Sequence, residues 1–165
     1  MANAKYYINK LELHKHPEGG WFKEVYRSEE VIEHKALNKR FSGGRNISTS
    51  IYFLLEKDEF SAFHKINSDE TWHFYDGGMI EIYSISQEGK LIIHKLGLDI
   101  ENNELPQITI PAGQYFAAKS STDFTLVGCT VAPGFDFEDF EMPSKQELKG
   151  LFPEHTQIIK ELGRD

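Results

Sequence analysis

Cysteine is nearly absent: Cys129 is the only one in 165 residues. No intrachain disulfide can form, and a reducing cytoplasm is the simplest home for such a chain. Long apolar runs are also missing, so no segment reads as a membrane span. The opening residues, Met-Ala-Asn-Ala-Lys-Tyr-Tyr, lack the apolar middle of a secretory signal. Positive charge is in short supply, with 18 basic against 26 acidic residues and a net charge of −8. That excludes a generic nucleic-acid binder, which needs clustered Lys and Arg. It leaves room for a nucleotide ligand, because one phosphate needs only two or three local donors. Repeats, linkers and low-complexity stretches are lacking too. One domain over residues 1–165, with a single core, is expected at this length.

What is present is a succession of short β patterns. Residues 3–15 read as a helix, with Tyr7, Leu11 and His14 at near-helical spacing. His16-Pro17-Glu18-Gly19-Gly20 is a turn signal that ends it. Strands follow at 21–28, 48–55, 60–65, 71–75, 79–86, 91–95, 107–110, 114–119 and 124–131, rich in β-branched and aromatic residues. Gly, Pro, Asn and Ser turns separate them. Many short strands so punctuated indicate an all-β sandwich or barrel, of which the eight-stranded jelly roll is one form. Ser144 and Glu147 form a capping-box pattern that predicts a helix, and a second helix is expected over 154–161. Residues 29–46 are polar and without alternation, which reads as a mobile loop.

Two segments carry the chemistry. The first runs from His64 through Glu70, Trp72 and His73 to Gly77; the second is Pro111-Ala112-Gly113-Gln114-Tyr115-Phe116. Together they resemble the two half-motifs of a cupin barrel. In that pattern His64 and Glu70 fall on metal-ligand positions, whereas Ile66 and Phe116 stand where histidines would be. The wider sequence resembles one cupin family known as a domain of unknown function. The resemblance rests on 16–28, Ser50-Ile51-Tyr52-Phe53-Leu54-Leu55, Phe63-His64, Glu70 with Trp72-His73, Pro111-Ala112-Gly113, and 132–138. It implies a double-stranded β-helix, the cupin jelly-roll barrel, with short flanking helices at both termini, and a homodimer. The family is similar in fold to dTDP-4-dehydrorhamnose 3,5-epimerases, which makes a nucleotide, nucleotide sugar or other sugar-like molecule the ligand implied.

A metal ordinarily takes at least three protein ligands, and His64 and Glu70 supply two. In a regular strand Glu70, Trp72 and Phe74 face one side and His73 the other, so His73 is no third ligand without a bulge. No cofactor is therefore expected. The alternative is a metal-dependent cupin enzyme, a dioxygenase or isomerase, holding a divalent metal weakly through His64 and Glu70. A further alternative is a ligand-binding module without catalysis. For acid–base chemistry of the epimerase or isomerase type, His64 is the candidate base, supported by Glu70, with Tyr52 or Tyr115 as candidate acid. Alternation puts Phe60, Ala62 and His64 on one face, and Ser48, Ser50, Tyr52 and Leu54 on another that is polar enough to line a pocket. Trp72 offers a flat surface for stacking. Arg27 and Arg45 are candidate phosphate donors, Arg45 because two glycines precede it. Cys129 reads as a small buried hydrophobe. Neither a nucleic-acid nor a membrane partner is expected.

Overall fold

The computed structural model describes residues 3–165; the first two residues of the segment read above as no signal lie outside them. Helix α1 (Ala4–Lys10) starts on Asn3, whose side chain accepts the Tyr6 N–H. It is shorter than the sequence pattern predicts. Glu12 takes a positive φ of 56°, which stops the helix, and Leu13 folds back with its N–H on the Ile8 carbonyl. The residues expected as the last helical turn instead begin the sheet, as β1 (His14–Lys15).

The strands then run β2 (Trp21–Arg27), β3 (Val31–Ile32), β4 (Arg45–Asn46), β5 (Thr49–Glu56), β6 (Phe60–His64), β7 (Asp69–Gly77), β8 (Ile80–Ile85), β9 (Leu91–Leu96), β10 (Gln107–Ile110), β11 (Tyr115–Ser120) and β12 (Phe124–Ala132). They form two main antiparallel sheets. One has the order β1-β2-β5-β12-β7-β10, the other β6-β11-β8-β9. This is the jelly-roll barrel with flanking helices. The inner faces meet in a core that includes Phe53, Trp72, Ile82, Phe116 and Val127, each no more than 1% exposed. Helix α1 packs on the outside of the larger sheet, against Leu54 and Leu126. Helices α2 (Lys145–Leu151) and α3 (Thr156–Leu162) cover the outside of the smaller one through Leu148, Ile159 and Leu162. The capping box at Ser144 and Glu147 is present.

Residues 29–46 are not the unanchored loop that their composition predicts. Strands β3 and β4 pair across a short 3-10 turn, Phe41 is 2% exposed, and Arg45 is buried against Asp139. Two alternation readings also need correction. Along β5 the residues facing the core are Thr49, Ile51, Phe53 and Leu55, so Ser50, Tyr52 and Leu54 point outward. The sequence reading placed the pocket on the polar set, but those hydroxyls serve the outer surface, where Ser50 meets Thr130. Along β6 the pairing with β11 shifts between Phe116 and Ala118. That bulge changes which residues share a face. Phe60 and Phe63 pack outward under the C-terminal helices, while His64 pairs with inward-facing Phe116.

Candidate functional site

One end of the barrel encloses a cavity of about 40 Å³. A buried water needs roughly 10–15 Å³ on this measure, so the space holds about three waters or the head of a small ligand. Its chemistry comes from His16, Glu18, His64, Glu70 and Cys129; its walls are mostly Phe22, Ile51, Ile66, Val131, Phe135 and Phe140. His64 stands at the end of β6, Glu70 near the start of β7 and Cys129 in the middle of β12. Strand pairing therefore brings Glu70 opposite Val131 and Trp72 opposite Cys129.

Glu18 arrives differently. The turn 16–20 closes on itself through His16 N–H to Gly20 O and Gly19 N–H to His16 O. It is then fastened to β6, where the Ala62 N–H donates to the Glu18 carbonyl at 2.8 Å. Gly19 has φ 114°, and a Cβ there would lie 2.1 Å from the Phe60 carbonyl oxygen. Only glycine allows so close an approach. The turn thus pushes a carboxylate, 6% exposed, into the barrel mouth.

The ring of His64 is held at both nitrogens. Nδ1 donates to the Ala62 carbonyl at 2.7 Å, and Nε2 faces Glu18 Oε2 at 2.9 Å. Burial disfavours the charged ring, but the Glu18 carboxylate, its hydrogen bond and the charge of Glu70 outweigh burial and raise the His64 pKa. Glu18 shows the reciprocal balance: burial works to raise it, and the charges of His64 and His16 hold it below the usual carboxylate range. The pair is an imidazolium–carboxylate ion pair. Phe140 stacks on the ring at 5.4 Å and Phe116 leans against it at 4.2 Å.

Glu70 is the carboxyl left over. Burial, then the charge of Glu18, push it up to about 7, with His64 offsetting part of the rise. It is therefore a carboxyl that shares its proton near neutrality. Cys129 lies beside it, and burial together with the Glu70 charge drives the thiol well above its ordinary range. His16 is the reverse case. The Glu18 backbone N–H donates to His16 Nδ1 at 3.2 Å, and burial lowers the ring's pKa. Its Nδ1 is occupied as an acceptor, so the neutral ring carries its proton on Nε2. That N–H has no acceptor among the described residues.

Of the residues singled out from sequence, the structure brings His64 and Glu70 together and leaves the others elsewhere. Tyr52 and Ser50 are on the outer sheet face, Tyr52 against Tyr75. Trp72 is core, packed edge-on to Phe53 and Phe116, with its Nε1 buried and unpartnered. Tyr115 lies under the C-terminal helices, bonded to Glu141 and Lys65. Arg45 is bound twice by Asp139, at 2.7 and 2.8 Å. Arg27 reaches Glu24, Asn46 and the Phe135 carbonyl beside the cavity. His73 faces away and meets Thr130, as the alternation predicts. His16 and Glu18 were missed as site residues. Their signal was a charged residue set between proline and paired glycines, which was read only as a turn.

A metal does not fit these donors. His64 Nε2 is committed to Glu18, and the two remaining ligand positions of the cupin pattern are buried Ile66 and Phe116. Among the described residues no group of three or more His, Cys, Asp or Glu is placed to hold a metal ion.

The family model described as Cupin superfamily (DUF985) matches residues 5–143. The uncharacterized protein YML079W of Saccharomyces cerevisiae is 35% identical over 159 residues, covering 87% of this chain and 77% of that one. Among solved structures, protein SO0799 from Shewanella oneidensis is 41% identical with a TM-score of 0.90, covering 99% of both chains. A hypothetical protein from Leishmania major is 30% identical with a TM-score of 0.92, covering 99% of this chain and all of that one. Oxalate decarboxylase from Bacillus subtilis is similar at 14% identity and a TM-score of 0.56, over 94% of this chain and 38% of that one, which is likeness of fold alone.

Proposed function

Starting from a chain that belongs to the DUF985 family of the cupin superfamily, we propose that it binds a small sugar-like carbonyl compound and moves a proton next to that carbonyl without a metal. The observation that carries this reading is the enclosed cavity that His16, Glu18, His64 and Glu70 all line. In the step, the Glu70 carboxylate takes the proton from the carbon beside the carbonyl. The electron pair left behind delocalises onto the carbonyl oxygen, and the His16 Nε2–H stabilises the resulting oxyanion. The protonated Glu70 then returns the proton to the same carbon or, in an isomerisation, to the former carbonyl carbon, while the hydroxyl proton of the neighbouring carbon passes to the oxyanion and that carbon becomes the new carbonyl. The His64–Glu18 pair is a fixed charge that tunes Glu70 rather than the free base expected from sequence, because neither ring nitrogen is available.

The test is exchange with solvent. A panel of aldoses and ketoses is incubated with the protein in D2O, and loss of the C–H signal next to the carbonyl is followed by proton NMR. We expect exchange with at least one member, slowed at least about 100-fold by Glu70→Gln. Absence of exchange across the panel would overturn the proton-transfer reading. The non-catalytic binding module would then be favoured, a reading supported by the double engagement of the His64 ring.

The assembly proposed is a homodimer in the cytoplasm, the compartment that a lone buried cysteine suits. The outer face of the six-stranded sheet supports the pairing: Val25, Tyr26 and Tyr75 are 45–55% exposed there. Sedimentation should give twice the chain mass of 19.0 kDa. A Tyr26→Glu, Tyr75→Glu variant should sediment as a monomer; a wild-type monomer at micromolar concentration would sink the pairing.

A further inference from the structure

The inner cavity is too small for a whole sugar, so the body of any ligand must lie outside it. A second recess of about 290 Å³ shares Phe22, Thr49, Ile51 and Phe135 with the cavity and adds Glu24, Arg27, Asp136 and Phe137. That is the lower end of the range for small-molecule pockets, the scale of a single sugar ring. Phe135 and Phe137 meet edge to face at 4.9 Å, and Phe137 is 56% exposed. They form an aromatic wall without a cover. Glu24 gives Oε1 to Arg27 at 2.6 Å, and Asp136 gives Oδ1 to the Glu138 N–H at 2.9 Å. The second oxygen of each carboxylate has no partner among the described residues.

The cations nearby are already engaged. Arg27 donates to Glu24, to Asn46 at 2.8 Å and to the Phe135 carbonyl at 3.0 Å. Arg45 is held by Asp139, and Lys65 by Glu141 at 2.8 Å. The recess itself carries two carboxylates against one guanidinium. A phosphate entering it would meet surplus negative charge and would have to strip Arg27 of its partners. A neutral sugar meets what it needs. Free carboxylate oxygens accept hydroxyl hydrogens, and aromatic faces take the apolar C–H face of the ring.

We infer that the outer recess is a subsite for an unphosphorylated monosaccharide, its ring against Phe135 and Phe137 and its hydroxyls on Glu24 and Asp136. The inference rests on the proposed carbonyl chemistry only for which end of the sugar points inward. It narrows the ligand class, because it excludes the nucleotide sugars that the family's fold relatives imply.

The test is calorimetric binding to the full chain with matched probes: free aldoses and ketoses, the same sugars as monophosphates, and UDP-glucose. We expect at least one free sugar to bind, and its phosphate to bind at least tenfold more weakly. Phe137→Ala, at a half-exposed position that leaves the fold intact, should weaken the free sugar at least tenfold, and Asp136→Asn should weaken it as well. A phosphorylated sugar or UDP-glucose binding as tightly as the free sugar would overturn the inference. So would failure of every free sugar to bind, or two variants that bind like wild type. The outcomes separate this subsite from the proton-transfer reading. Free-sugar binding without deuterium exchange keeps the subsite and removes the chemistry; exchange on a reducing sugar monophosphate, with no free sugar bound, does the reverse.

Discussion

At the scale of residues, the site is a division of labour between two carboxyls. Glu18 is ionised because His64 and His16 face it; Glu70 is left to hold a proton because burial and Glu18 both disfavour its charge. Each has its own consequence for stability. Glu70 binds its proton more tightly folded than unfolded, so between its ordinary value of 4.5 and about 7 the folded state takes up protons that the unfolded state has released. Stability from this group is therefore lost as pH rises through that window. Glu18, with a depressed pKa, contributes stability above its unfolded pKa that is lost as pH falls through its folded one. His64, with a raised pKa, contributes below its unfolded pKa and loses that contribution as pH rises through its folded one. Half of this was legible in the sequence. His64 and Glu70 lie on a recognisable motif, and strand alternation correctly turned His73 away. Glu18 was not, because its role depends on a loop meeting β6 forty residues on, and a one-dimensional pattern holds no record of that meeting.

At the scale of elements, the strands were largely legible, with observed bounds close to those read from alternation and turn residues. The failures are local and share a cause: backbone irregularity that periodicity cannot see. Glu12 in a left-handed conformation ended α1 early, and the bulge in the β6–β11 pairing put Phe60 on the opposite face from His64. Residues 29–46 looked like a loop because their anchors are a few side chains rather than a pattern. The chief anchor is Arg45 on Asp139, 3% and 4% side-chain exposed. Asp139 belongs to the segment that places Phe140 over His64 and Phe135 at the cavity throat. Removing one partner of a buried pair leaves the other charge stranded. Arg45→Met should therefore cost about 3 kcal/mol in urea unfolding and weaken ligand binding through the displaced segment. A loss under about 0.5 kcal/mol, the size typical of a surface change, would show that the strap is not held by this pair.

At the scale of the whole molecule, the barrel keeps the cupin scaffold while its mouth holds the His64–Glu18 ion pair beside Glu70, a carboxyl that shares its proton near neutrality. At two ligand positions of the cupin motif stand buried Ile66 and Phe116, and Glu18 faces the Nε2 of His64. Two helices cover the outside of the smaller sheet, and one packs on the outside of the larger. The central claim is that Glu70 is a buried acid poised near neutrality at that mouth. It is tested most directly by the unfolding free energy of wild type and Glu70→Gln measured from pH 4.5 to pH 8. The pair difference reports Glu70 together with its coupling to His64. A pKa of about 7 against an ordinary 4.5 makes wild type lose about 3 kcal/mol relative to the variant as pH rises. Two curves that run parallel across the window would mean that Glu70 titrates like any exposed carboxylate, and the proposed proton carrier would be gone.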